Sequence, residues 1–208
     1  MNAILSRSVM LAALAASVLA GCASSPPEHF YTLAPAGGTL SAPAASNAPL
    51  YISVQGVDVP QQVARSQLVV STGAGRIDLL EQERWAAPLS AEIGQALSTG
   101  LSARLGAIDV FRTPYPDSQP VYRISTNVLR FESAPGDYAL IDAVWSVRKQ
   151  PDGVPLTCRS VVNEKVGAGY DALVAGHRRG VDKLSAAMAA AVQSVAAGAG
   201  ACPPAASN

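Results

Sequence analysis

The sequence has few of the side chains that build catalytic and metal sites. Its 208 residues include only two histidines and three cysteines. A multi-ligand zinc or iron–sulfur site is therefore nearly excluded. A Ser-His-Asp triad would have to use His29 or His177. His29 lies close to the N-terminus, and His177 lies beside two arginines, which predicts a surface or partner contact.

Charge is also scarce and balanced. Charged residues make up 14% of the chain, with 15 basic and 15 acidic side chains. Proteins that hold nucleic acid by bulk charge normally have a basic excess, so we expect no nucleic-acid partner. Aromatic residues make up 5%, too few for the aromatic platform that would accompany a glycosidase carboxylate pair. We expect no enzymatic activity and no cofactor, with a hydrolase as the less favoured alternative.

The N-terminus carries an export signal. Arg7 precedes an apolar run from Val9 to Ala20, which is shorter than the roughly 20 residues that span a bilayer. The run ends in Leu19-Ala20-Gly21-Cys22, a sequence that resembles the bacterial lipobox. We therefore predict that residues 1–21 are a cleaved signal peptide and that Cys22 is lipidated. The alternative is an ordinary signal peptide with a chance cysteine.

The predicted anchor indicates a compartment. Two or three acyl chains would make membrane attachment effectively permanent. Ala23 follows the cysteine where an inner-membrane lipoprotein commonly has Asp, so we expect the periplasmic face of the outer membrane. Because the periplasm is oxidising, Cys158 and Cys202 are a candidate disulfide. Two unpaired thiols are the alternative.

The mature chain divides into a tether, one domain and a tail. Residues 22–49 are rich in Ala, Ser, Pro and Gly, which predicts a flexible tether with an edge strand at 30–33. Residues 50–199 form a single domain with strands near 50–59, 67–71, 76–80, 108–111, 121–132, 138–149 and 156–166. Residues 200–208 form the tail.

Two segments of the domain have helical periodicity. After Pro88, leucine or isoleucine recurs every fourth residue from Leu89 to Leu105, and Gly106 suits the end of the helix. An Ala-rich helix over 171–199 has a second apolar stripe, although Gly176 and Gly180 allow a start near Gly180. The pattern predicts an α+β fold: an antiparallel or mixed sheet of about six to seven strands with two helices packed on one face. The small residues of both helices allow either packing within the domain or packing against another subunit.

Several motifs, in order, resemble those of one family. The lipobox is followed by Phe30-Tyr31-Thr32-Leu33, and later by Glu83-Arg84-Trp85-Ala86-Ala87-Pro88-Leu89. Arg130-Phe131-Glu132 and Ala143-Val144-Trp145 follow in the predicted hairpin. Together these segments resemble the PqiC/YmbA-type lipoproteins, also described as ABC-type transport auxiliary lipoproteins.

This resemblance implies a function and partners. It implies a subunit of an MCE-type system that moves phospholipid or related lipids between the inner and outer membranes. The partners would be an MCE-family tunnel protein and an inner-membrane permease or Pqi-type membrane protein. The lipoprotein would be a homo-oligomer that receives the tunnel at the outer membrane and contributes to membrane integrity. The alternative function is a scaffold or activator of a cell-envelope enzyme.

Arg84 and Trp85 are the candidate partner interface. They lie where a predicted loop meets the first helix, and Arg and Trp are typical anchors of protein interfaces. In the alternative interpretation, Trp85 caps the core and Arg84 pairs with Glu81 or Glu83.

Overall fold

The computed structural model describes residues 26–34, 50–73, 75–116 and 118–204. The predicted signal peptide and Cys22, the predicted flexible loop over 35–49 and the last residues of the tail lie outside this part of the chain. In chain order the strands are β1 (His29–Tyr31), β2 (Leu50–Asp58), β3 (Gln67–Gly73), β4 (Arg76–Trp85), β5 (Ala107–Asp109), β6 (Val121–Ala134), β7 (Tyr138–Gln150) and β8 (Leu156–Lys165). The helices are α1 (Leu89–Leu105) and α2 (Tyr170–Ala196).

The α+β class with mixed sheets is confirmed, but the eight strands are divided between two sheets. The larger sheet has the order β5-β2-β6-β7-β8, and the smaller one has the order β1-β4-β3. Parallel pairs join β2 to β5, β2 to β6 and β1 to β4, whereas the hairpin pairs are antiparallel. Both sides of β2 are occupied by β5 and β6. The β3–β4 hairpin forms the smaller sheet with β1, and β3 contacts β6 of the larger sheet.

Helix α1 begins and ends where the sequence predicts. Pro88 precedes it, and Gly106 ends it in the left-handed conformation with φ of 60°, which favours glycine. Leu89, Ile93, Leu97 and Leu101 are all at most 1% exposed, so the predicted stripe is the buried face of the helix.

Helix α2 begins earlier than the alternative prediction allows. It starts at Tyr170, so the start near Gly180 is wrong. Gly176 lies against Val166 and Ala139, and Gly180 lies against Ile141. These two glycines let the helix backbone approach β7 and β8 closely, and this packing offsets their low helix propensity.

The main core lies between the helices and one face of the larger sheet. Ile124, Ala143, Trp145 and Val147 on the sheet and Met188 on α2 are each at most 1% exposed. Among the described residues, neither helix is long and apolar enough to cross a membrane.

Candidate functional site

The predicted interface residues lie at the end of β4, where only Arg84 reaches the surface. Trp85 is 5% exposed, and its ring makes edge-to-face contacts with Phe131 and His177 at centroid distances of 6.1 and 6.4 Å. Trp85 is therefore a core residue of this chain. Its position matches the alternative interpretation, in which the ring caps the core.

Arg84 is engaged by two acidic neighbours. Its Nη2 lies 3.3 Å from Glu28 Oε1 and 3.8 Å from Glu81 Oε2, and its Nε donates to the Glu81 carbonyl at 2.8 Å. The pairing with Glu81 was one of the two alternatives, whereas the pairing with Glu28 was not predicted. The role of Arg84 in a partner interface stays a prediction.

His177 is buried, so the prediction of a surface or partner contact is wrong. The residue is 1% exposed, and its ring stacks on Phe131 at 4.0 Å. Its Nε2 lies 2.8 Å from Ser133 Oγ, within hydrogen-bond distance. Burial lowers the pKa of His177 to about 3, so the ring is neutral at physiological pH. The flanking arginines misled the prediction because adjacent residues of a helix point in different directions.

The residues that follow the predicted lipid anchor are built into the fold. We call Glu28–Ala34 the N-terminal strap. The Glu92 carboxylate on α1 accepts hydrogen bonds from Thr32 Oγ1 at 2.7 Å and from the Leu33 backbone N–H at 2.8 Å. From α2, Arg178 Nε donates to the Thr32 carbonyl at 2.9 Å. Leu33 itself is 2% exposed. Both helices thus hold the strap by side-chain contacts.

A second set of contacts holds the β1 part of the strap against β4. Glu83 accepts a hydrogen bond from Tyr31 Oη at 2.7 Å and lies 2.9 Å from His29 Nδ1. Burial alone would raise the pKa of the Glu83 carboxyl, but its bonds to Tyr31 and His29 outweigh this and lower it. Burial and the neighbouring carboxylate raise the pKa of Tyr31. Glu83 is therefore a charged hydrogen-bond acceptor at neutral pH, and Tyr31 is its neutral donor.

An open groove of about 480 Å³ lies beside the strap. Its exposed apolar residues include Phe30, which is 62% exposed, Ala86 and Pro88, whereas Trp85 and Leu89 in the lining are buried. We call this surface the strap groove; its lining residues are Phe30, Val59, Ala64, Arg65, Ser66, Arg84, Trp85, Ala86, Ala87, Pro88, Leu89 and Ser90. The groove is largely apolar and has two arginines in its lining.

Two of the three cysteines are bonded to each other, and the third is the predicted lipidation site. Cys158 on β8 and Cys202 beyond α2 form a disulfide with a Cα–Cα distance of 5.8 Å. The bond joins the segment after the last helix to the edge of the larger sheet. Cys22 lies outside the described residues, six positions before the strap begins.

In the described part of the chain, no three His, Cys, Asp or Glu residues are grouped closely enough to hold a metal ion.

The strap contacts of Glu92 and Arg178 were missed by sequence reasoning. Glu92 lies in the first turn of α1, where an acidic residue is favoured without any tertiary partner. Nothing in the sequence pairs it with a segment about 60 residues earlier.

Comparison with known proteins identifies the family. The model of the family described as ABC-type transport auxiliary lipoprotein component matches residues 31–189. No curated protein matches the sequence.

Two solved structures share the fold. One is an uncharacterized protein with 20% sequence identity and a TM-score of 0.63, which covers 80% of this chain and 99% of its own. The other is a Xanthomonas campestris protein of the family DUF330, with 15% identity and a TM-score of 0.56 over 82% of this chain and 96% of its own. Since the family model covers most of the chain, the protein belongs to the ABC-type transport auxiliary lipoprotein components.

Proposed function

We propose that this lipoprotein is the outer-membrane subunit of an MCE-type system for intermembrane phospholipid transport. It acts as a non-catalytic docking and assembly component at the outer-membrane end of the periplasmic tunnel, and it contributes to membrane integrity. Its partners are an MCE-family tunnel protein, the associated inner-membrane permease or Pqi-type membrane protein, and further copies of itself. The family match over residues 31–189 is the observation that carries this proposal.

The short connection between the predicted lipid anchor and the folded domain supports a docking role. Only five residues separate Cys22 from Glu28, and the strap that follows is held by Glu92, Arg178 and Glu83. A domain joined to its acyl chains this closely stays at the membrane surface. A component that receives the end of a tunnel has to be held in this way.

Co-purification from membranes tests the proposal. The natively lipidated protein is tagged at its C-terminus, extracted in mild detergent and isolated, and the recovered proteins are identified by mass spectrometry. We expect the MCE-family protein in stoichiometric amounts, and little of it with an equally tagged lipoprotein of another family. Recovery of a cell-wall synthase without any MCE protein would overturn the proposal in favour of the scaffold or activator function.

A further inference from the structure

The strap fixes which side of the domain faces the bilayer. The six Cα-to-Cα steps from Cys22 to Glu28 reach at most about 22 Å when the chain is fully extended. A domain of roughly 180 residues has a radius of gyration of about 16 Å, which corresponds to a breadth of about 40 Å. The connection is therefore too short to place the far side of the domain against the membrane.

The hydrogen bonds that hold the strap keep its residues from adding to the length of chain between Cys22 and the domain. To release Thr32 and Leu33, the chain would have to break two hydrogen bonds to the Glu92 carboxylate and expose the Leu33 side chain. It would also have to give up the bond from Arg178 to the Thr32 carbonyl. The reach of the anchor is thus set by residues 22–28 alone.

The surface beside the strap has side chains that suit contact with a lipid bilayer. Phe30 projects from the strap with 62% of its surface exposed, and the strap groove beside it presents the exposed apolar residues Ala86 and Pro88. Arg65 lies exposed in the groove lining and can meet a headgroup phosphate. Aromatic rings at the level of the headgroups and arginines beside them are typical of proteins that lie on a bilayer.

We propose that the strap groove rests on the phospholipid bilayer that carries the Cys22 anchor, with Phe30 inserted at the headgroup level. In this orientation Arg84, which lines the groove, faces the bilayer and not the protein partner predicted for it. This inference rests on the lipid anchor, which belongs to the proposed function, but it does not depend on the tunnel partner.

Quenching of tryptophan fluorescence by brominated phospholipids tests the orientation. The full, natively lipidated protein is reconstituted alone into vesicles of brominated or ordinary phosphatidylcholine. Phe30→Trp reports on the strap groove. Val154→Trp is the matched control, since Val154 is 84% exposed on the turn beyond β7. Trp85 in the groove contacts Phe131, which pairs with Ile141 on β7. The turn that holds Val154 lies about 30 Å further along β7 than Ile141, so it is far from the groove.

We expect brominated lipid to cause a loss of fluorescence with Phe30→Trp, beyond the loss measured for Trp85 and Trp145 in the unmodified protein. Val154→Trp should lose no more than the unmodified protein. Ala86→Trp, at an exposed position of the groove lining, is a second probe that should lose fluorescence as Phe30→Trp does.

Two results would overturn the inference. Equal loss with Phe30→Trp and Val154→Trp means that the domain has no fixed orientation. Fluorescence unaffected by bromine with both Phe30→Trp and Ala86→Trp means that the groove does not meet lipid and is free for a protein. Because the vesicles hold no other protein, either result leaves the co-purification test of the proposed function untouched.

Discussion

The helix-covered sheet and the N-terminal strap are stabilised in different ways. Under α2 the contact is apolar, with Leu184 and Met188 at most 1% exposed. The strap buries one large apolar side chain, Leu33, and depends otherwise on polar partners such as Glu92 and Arg178. The first region resembles an ordinary protein core, and the second resembles a docked peptide.

The difference determines how each region responds to change. Apolar burial contributes about 25 cal/mol per Å² and tolerates small shifts, because it has no directional requirement. A hydrogen bond to a charged group contributes about 1.5–3 kcal/mol and depends on geometry. Large cavities, or added side chains at close contacts such as Gly176, should therefore disrupt the helix layer. The loss of one carboxylate should loosen the strap.

The largest expected effect is at Trp85, where the two regions meet. Because its ring packs on Phe131 and His177, Trp85→Ala should lower the free energy of unfolding by about 3–5 kcal/mol. Urea unfolding measures this change. The matched control is Phe30→Ala at an exposed aromatic residue, which should change the value by less than about 0.5 kcal/mol. A folded Trp85→Ala protein of unchanged stability that loses its partner would contradict the core role of Trp85 and support the interface prediction.

A smaller and more local effect is expected at Glu92. Glu92→Ala removes the acceptor of the Thr32 and Leu33 hydrogen bonds and should cost about 1.5–3 kcal/mol. Hydrogen exchange should become faster over residues 29–34 while the amides of α2 keep their protection. Gln95→Ala, at an exposed position of the same helix, is the control. Unchanged exchange in the strap would show that Glu92 does not hold it.

The smallest effect is expected on the outer face of the larger sheet. There Arg159 donates to both oxygens of Asp142, at 2.9 and 2.7 Å, and these bonds lower the pKa of the Asp142 carboxyl. A lowered pKa in the folded state gives stability that is present above the unfolded pKa of about 3.9 and is lost as the pH falls through the folded pKa.

Asp142→Asn should therefore flatten the acid side of the stability curve. Since the Arg159 side chain is 61% exposed, we expect a change of no more than about 1 kcal/mol between pH 7 and pH 3. Unfolding by urea at a series of pH values measures it, with Asp58→Asn, at the exposed last residue of β2, as the control. Identical acid slopes for the unmodified protein and Asp142→Asn would rule out this contribution.

Sequence periodicity predicts the helix layer because apolar burial follows the helical repeat. The four-residue spacing from Leu89 to Leu101 and the end of the helix at Gly106 are local features, so the sequence alone predicts them. The sequence allows two starts for α2, because Gly176 and Gly180 are poor helix formers. Their close contacts with Val166, Ala139 and Ile141, which favour glycine there, are tertiary. The division into two sheets was missed, since no local pattern says which strand edges are already paired.

The proposed functional surface is harder to predict from the sequence than the fold. The motif Phe30-Tyr31-Thr32-Leu33 predicted an edge strand, but its attachment depends on Glu92 and Arg178, which are distant in sequence. Tryptophan is a residue type common at the centre of interfaces, but Trp85 is buried like a core residue. Only the contacts of the Trp85 ring with Phe131 on β6 and His177 on α2 separate these alternatives.

The predicted acyl anchor at Cys22 is what would give the N-terminal strap its proposed role. Intact mass spectrometry of the native protein from the membrane fraction is the direct measurement. We predict a chain that begins at Cys22 and carries two or three acyl chains. A chain that retains residues 1–21, or a mature chain with an unmodified cysteine, would contradict the account.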